Sequence, residues 1–131
     1  MMDSAPDAER LGPGPMEMVL MSLAGCTAMD VISILEKKQQ DVTAFEVKVH
    51  AARSENYPKV YTRAELVYEV TGRAVDEMSV LRAIELSMQK YCPVHAMLNQ
   101  AFPITERYLV YEDEANGNRH LVAEGNYLAE E

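Results

Sequence analysis

Two cysteines carry most of the reactive chemistry this chain offers. Cys26 stands in MSLAGCTAMD and Cys92 in KYCPVHAML. Cys92 directly precedes Pro93. A residue before proline is pushed out of the helical region, and proline favours the first helical position. Cys92 is therefore expected at the N-cap of a helix carrying Val94 to Ala101. There its sulfur faces unpaired backbone N–H groups and the positive end of a helix dipole, which lowers a thiol pKa from about 8.5 toward or below neutrality. Lys90 pushes the same way. The position equally suits a half-buried cysteine beside a helix break, and local context leaves the two open. Cys26 lies mid-helix among apolar residues, where a thiol is ordinarily inert with a raised pKa. Its neighbour Gly25 costs a helix about 1 kcal/mol relative to alanine. Such a glycine often stands where something packs close to the backbone: another helix, a partner chain or a small substrate.

Other chemistries find little support. His50, His95 and His120 are scattered. His95, three residues after Cys92, offers a proton partner or a second metal ligand, but no further ligands are evident, so neither a metal nor another cofactor is expected. GPGP at residues 12–15 makes a turn rather than a phosphate cradle, because its prolines lack N–H donors. No Ser/His/Asp arrangement is visible.

The elements that must position the thiols follow from periodicity. Residues 3–15, DSAPDAERLGPGP, read as a loop, with Pro15 placed to open a helix. Met16 to Lys38 reads as one long helix with apolar residues on every face, hence central and largely buried. Its basic end, Lys37 and Lys38, suits a helix C-terminus. Phe45, Val47, Val49 and Ala51 alternate with polar residues, as do Ala64, Leu66, Tyr68 and Val70. Period two of this kind predicts two strands with one buried face, joined as an antiparallel hairpin through SENYPK. A helix over Asp76 to Lys90 aligns Val80, Leu81, Ile84, Met88 and Tyr91. A short helix restarts after Pro93, and Ile104 to Tyr111 forms a third strand. The Asn116-Gly117-Asn118 turn returns the chain into a short strand, Arg119 to Ala123. The fold class is α+β with an antiparallel sheet.

Composition bounds the rest. At 131 residues the chain is a single domain, 1–131. A formal charge of −9 and a pI near 4.8 argue against nucleic acid, which requires basic patches, and against an anionic membrane surface. The start, MMDSAPDAER, carries no signal-peptide pattern. The apolar run from Met16 to Leu35 contains Glu17, Ser22, Thr27, Asp30 and Ser33, which argues against a membrane span. Two cysteines are no disulfide scaffold, and a cytoplasmic setting with reduced thiols is expected.

PMEMVLMSLAGCTAMDVISIL, followed after the strands by AIELSMQKYCPVHAML, resembles the OsmC/Ohr family, in its OsmC-like branch. The resemblance covers residues 13–112 and rests on two motifs in order with a hairpin between them. It implies a homodimer of intertwined subunits around the long helix. It also implies a thiol peroxidase of oxidative stress defence, acting on small apolar organic hydroperoxides with an external thiol as reductant. Cys26 matches the family's attacking cysteine and Cys92 its resolving cysteine. The methionines and aromatics near the motifs (Met16, Met18, Met21, Met29, Met88, Met97, Tyr91) are either pocket lining or ordinary core. The family pattern places a glutamate directly after the proline matching Pro15, and an arginine earlier. Here Met16 takes that place and the carboxylate is Glu17, one position on, a third candidate site residue that also suits the helix N-terminus by charge alone. Arg10 precedes the motif without a clear match. These departures keep a second reading open, an OsmC-like dimer that binds a small molecule with little peroxidase activity. The N-terminal strands of the family are nearly absent. The C-terminal extension, 113–131, is expected either to cover an exposed sheet edge with residues 119–128 or to end as an acidic tail.

Overall fold

The computed structural model describes residues 12–127; Arg10, most of the opening loop and the last four residues lie outside that range. The long helix, α1, spans Pro15–Lys37. Gly14 is its N-cap, Pro15 takes the first turn where no N–H is needed, and Glu17 and Lys37 complement the two ends of the dipole. By length and composition α1 could cross a bilayer, with a mean hydropathy of 1.9 over its most apolar stretch. Here its stripe Leu23, Thr27, Val31 and Leu35, spaced four residues apart, is buried against the first strand and the helices that follow.

The strands run longer than the alternation predicts. β1 spans Asp41–Arg53 and β2 Tyr61–Arg73, paired antiparallel as expected. The chain then crosses over through α2 (Glu77–Leu86), a π turn (Ser87–Tyr91) and α3 (Pro93–Leu98). Asp76 caps α2, its side chain accepting from the Ser79 N–H at 3.2 Å. β3 (Ile104–Glu114) and β4 (Asn118–Tyr127) form a second hairpin, turning at Gly117 with φ +86°, a left-handed conformation that glycine adopts without penalty.

The expected antiparallel sheet is corrected at its centre. The strand order is β1-β2-β3-β4, with β2 and β3 parallel, so the sheet is mixed. The reason is the crossover. A connection holding two helices returns the chain to the end where β2 began, whereas a tight turn would have reversed it. Helices cover one face of the sheet, and Tyr68, Leu66, Val70, Ile84 and Val110 fill the core between them. The C-terminal extension pairs in the sheet through Tyr127, beyond the Arg119–Ala123 strand read from the sequence. Residue 128 lies outside the described range.

Candidate functional site

Cys92 comes first because the backbone around it is the least regular. Pro93 has no N–H to continue the helix, and Cys92 takes an extended conformation, φ −86°, ψ 102°. The preceding helix widens to reach it: the Cys92 N–H bonds to the Ser87 carbonyl at 2.9 Å, closing the π turn. As expected, Cys92 then caps α3, its sulfur accepting from the His95 N–H at 3.4 Å. The expected consequence for its acidity is overturned. The Cys92 thiol is pushed up to about 12, first by burial and next by its hydrogen bond with Cys26 and the nearby Cys26 and Asp30 charges, which together outweigh the His95 N–H. Lys90 does not offset this; its ammonium lies 5.2 Å over the Tyr91 ring.

Cys26 faces it from the middle of α1, half-buried. One helical turn on, Asp30 lies on the same face. The two sulfurs and a carboxylate oxygen of Asp30 all lie within 4.8 Å of one another. Among the described residues this is the group whose donor atoms could hold a metal ion. A linear run of hydroxyls backs the carboxylate. Ser87 Oγ donates to Asp30 Oδ2 at 3.0 Å and bonds Thr27 Oγ1 at 2.9 Å. Thr27 Oγ1 in turn bonds the Tyr68 hydroxyl at 2.8 Å. Thr27, Ser87 and Tyr68 are fully buried. Burial, more than any charge, raises the Tyr68 phenol. With Ser87 donating to Asp30, Thr27 donates to Ser87 and the neutral Tyr68 phenol donates to Thr27, so each hydroxyl has a partner in a place where an unpaired one would be costly.

Two clefts border the cluster. One, of about 340 Å³, is lined by Asp30, Ile34, Lys37, Leu86 and Tyr91. The other, of about 190 Å³, includes Tyr91, Cys92 and Lys90. Tyr91, half exposed, stands between them. Met88 is buried and borders the second cleft, while Met21, Met29 and Met97 are exposed.

Glu17 stands apart. It precedes Cys26 by nine residues, which at 100° and 1.5 Å per residue turns it about half a revolution away and about 13 Å along the axis. It is exposed in the first turn of α1. Within one chain the structure therefore brings together Cys26 and Cys92 but not Glu17. His95 also points elsewhere: its ring Nε2 lies 3.4 Å from Glu106 Oε1, without hydrogen-bond alignment, in a separate cavity of about 420 Å³. The Cys-x-x-His pairing is thus replaced by Cys-x-x-x-Asp on α1. Gly25 holds a further surprise. Among the described residues, a Cβ there would meet nothing within 4 Å, so no other described element packs close to its backbone.

Asp30, Thr27, Ser87 and Tyr68 escaped the sequence reading. The spacing of Asp30 four residues after Cys26 was the one available signal. From sequence, Thr27 and Asp30 are legible only as polar residues that argue against a membrane span.

The chain matches the OsmC-like protein family over residues 6–107. It is 49% identical to Protein YhfA of Escherichia coli K12 over 98 residues, 75% of this chain and 73% of that protein. Among solved structures, a hypothetical protein from Aquifex aeolicus VF5 superposes with a TM-score of 0.75 at 33% identity, covering 80% of this chain and 79% of its own. The fold also matches an organic hydroperoxide resistance protein OsmC from Legionella pneumophila, with a TM-score of 0.60 at 11% identity over 81% and 77% of the two chains. The thiol motifs, the α+β architecture and these matches agree: the chain belongs to the OsmC-like protein family.

Proposed function

We propose that this protein is a two-cysteine thiol peroxidase that reduces small apolar organic hydroperoxides in oxidative stress defence. The observation that carries the reading is the approach of the Cys26 and Cys92 sulfurs to within 4.8 Å, close enough for side-chain rotation to join them. In the proposed cycle the Cys26 thiolate attacks the hydroxyl oxygen of the peroxide. An S–O bond forms and the O–O bond breaks. Sulfur is oxidised to a sulfenic acid, and the departing alkoxide takes up a proton as an alcohol. Cys92 then attacks the sulfenic sulfur, forming the disulfide and releasing water. An external dithiol reopens the disulfide by exchange. Cys92 holds its proton firmly, so in the second step that proton must leave with the sulfenic hydroxyl as water. The apolar walls supplied by Ile34, Leu86 and Tyr91 suit an alkyl or aryl peroxide. The likeness in fold to proteins named for organic hydroperoxide resistance points the same way.

The reading includes a homodimer in the cytoplasm, where thiols rest reduced. Four of the 23 residues of α1 are buried in the protomer, and Met21 and Met29 stand exposed on it. An apolar helix so little covered calls for a partner, and sedimentation at micromolar concentration should show a dimer. A stable monomer would remove that part of the reading.

A second reading has its own support. The side chains acting most strongly on Cys92 are another thiol and a carboxylate, a poor setting for a thiolate. A dimer that binds a small molecule without turning it over fits that setting. Peroxide consumption with a dithiol reductant separates the two. Cumene hydroperoxide should be consumed faster than hydrogen peroxide, through Cys26. Consumption no greater than that of Cys26→Ser would leave the binding reading in place.

A further inference from the structure

The dithiol cluster has a feature that peroxide chemistry does not use. Asp30 adds a third potential anion to the two thiols. A carboxylate beside a thiol disfavours the thiolate, so it does not help the attacking step by its charge. A cation between the three groups would turn the same arrangement from unfavourable to favourable.

We propose that the reduced pair, with Asp30, forms a zinc-binding site. The ligands are Cys26 Sγ, Cys92 Sγ and one carboxylate oxygen of Asp30, with the fourth position open to water or a small ligand. The donor set is of the sulfur-and-oxygen kind that a tetrahedral d¹⁰ ion accepts. Zn–S distances of about 2.3 Å and Zn–O distances of about 2.0–2.2 Å put tetrahedral ligand atoms roughly 3.5–3.8 Å apart. Donors already within 4.8 Å of one another need to close by about an ångström. The carboxylate is also held from behind, as metal ligands characteristically are. Ser87 Oγ donates to Asp30 Oδ2, and Thr27 and Tyr68 fix Ser87 in turn. The half-buried Cys26 and Asp30 and the clefts on either side of Tyr91 provide an entry path. Binding displaces one proton from each thiol into solution, leaving both sulfurs as thiolates on the ion. Disulfide formation removes both sulfur ligands, so zinc binding and oxidation exclude one another. The proposal goes beyond the peroxidase reading and does not depend on turnover.

The full-length chain, reduced and free of metal, is titrated with zinc against a chromogenic chelator, and separately with cobalt(II) as a spectroscopic substitute. One zinc per chain should bind, with release of protons and a thiolate-to-cobalt charge-transfer band in the near ultraviolet. The disulfide form should bind none. Ser87→Ala should weaken binding by about tenfold, Asp30→Asn by at least as much, and Cys26→Ser should abolish the charge-transfer contribution of that sulfur. In unaltered protein, zinc should also slow alkylation of both thiols by iodoacetamide, a readout that requires no variant to fold. Absence of stoichiometric zinc in the reduced chain, or zinc binding equal in the reduced and disulfide forms, would overturn the proposal. Peroxide turnover in the cumene hydroperoxide assay would survive that failure unchanged.

Discussion

Two carboxylates of this chain are drawn out of bulk water into opposite company. Glu69, on the sheet face away from the helices, meets cations from two other strands. Lys48 reaches Oε2 at 2.7 Å and Arg119 reaches Oε1 at 3.1 Å. Arg119 is itself held by Thr71 Oγ1 at 3.0 Å and by the Tyr111 ring, 3.9 Å beneath its guanidinium. The bond from Lys48 in particular, with Arg119 adding to it, holds the Glu69 carboxyl below its ordinary range despite the cost of burial. Asp30, on the helical side, meets two thiols and a hydroxyl. The first group is a finished ion-pair cluster whose charges are satisfied in the protomer. The second is an assembly of nucleophiles and a carboxylate that a reaction or a ligand would complete. The difference separates polar residues that hold a sheet together from polar residues left open to the proposed chemistry.

The contrast breaks most visibly at Cys26. Cys26→Ser should reduce hydroperoxide consumption to background, whereas Lys48→Met should leave it unchanged. Cys92→Ser should consume one equivalent of peroxide per chain and stop with a sulfenic acid that dimedone traps. Full turnover by Cys26→Ser would show that the assigned roles are wrong.

Next in size is the hydroxyl network behind Asp30. Thr27→Val keeps the shape of the side chain and deletes two hydrogen bonds, leaving Tyr68 and Ser87 short of a partner in a dry core. The expected loss is about 1–3 kcal/mol in urea denaturation. An unchanged midpoint would mean that the buried hydroxyls find other partners.

Glu69→Gln should cost less, about 1 kcal/mol or below, because Lys48 and Arg119 are half exposed and solvent screens them. The pH dependence has a definite sign. The folded carboxyl titrates below its unfolded value, so its contribution is complete above the unfolded value of about 4.3. It is lost as pH falls through the lower folded value. Between about pH 5 and pH 3 the unaltered protein should therefore lose more stability than Glu69→Gln. Equal slopes would mean that the cluster contributes nothing.

The smallest effect is the most useful for assembly. In the protomer Gly25 is exposed with free space around its Cβ position, so Gly25→Ala should raise stability by up to about 1 kcal/mol. A loss of stability, accompanied by a shift toward monomer in sedimentation, would place the backbone at Gly25 against the partner subunit.

Local physics determined much of this protein from sequence. Pro15 opens α1 and Pro93 sets Cys92 at a helix start, because proline acts on the backbone of its immediate neighbours. The period-two runs at 45–51 and 64–70 mark strands, because alternation reports which face is buried. Asn116-Gly117 marks the second turn, because few residues accept a positive φ. The pairing of Cys26 with Cys92 was legible only through resemblance, since spacing along the chain says nothing of approach through space. Three things waited for the tertiary structure. The parallel pairing of β2 with β3 depends on where a crossover returns, which side-chain alternation does not encode. The rise in the Cys92 thiol depends on total burial and on Cys26 from another helix; the N-cap alone points the other way. The Asp30–Ser87–Thr27–Tyr68 chain joins α1, the π turn and β2, and a hydrogen bond between elements exists only once packing has brought them together.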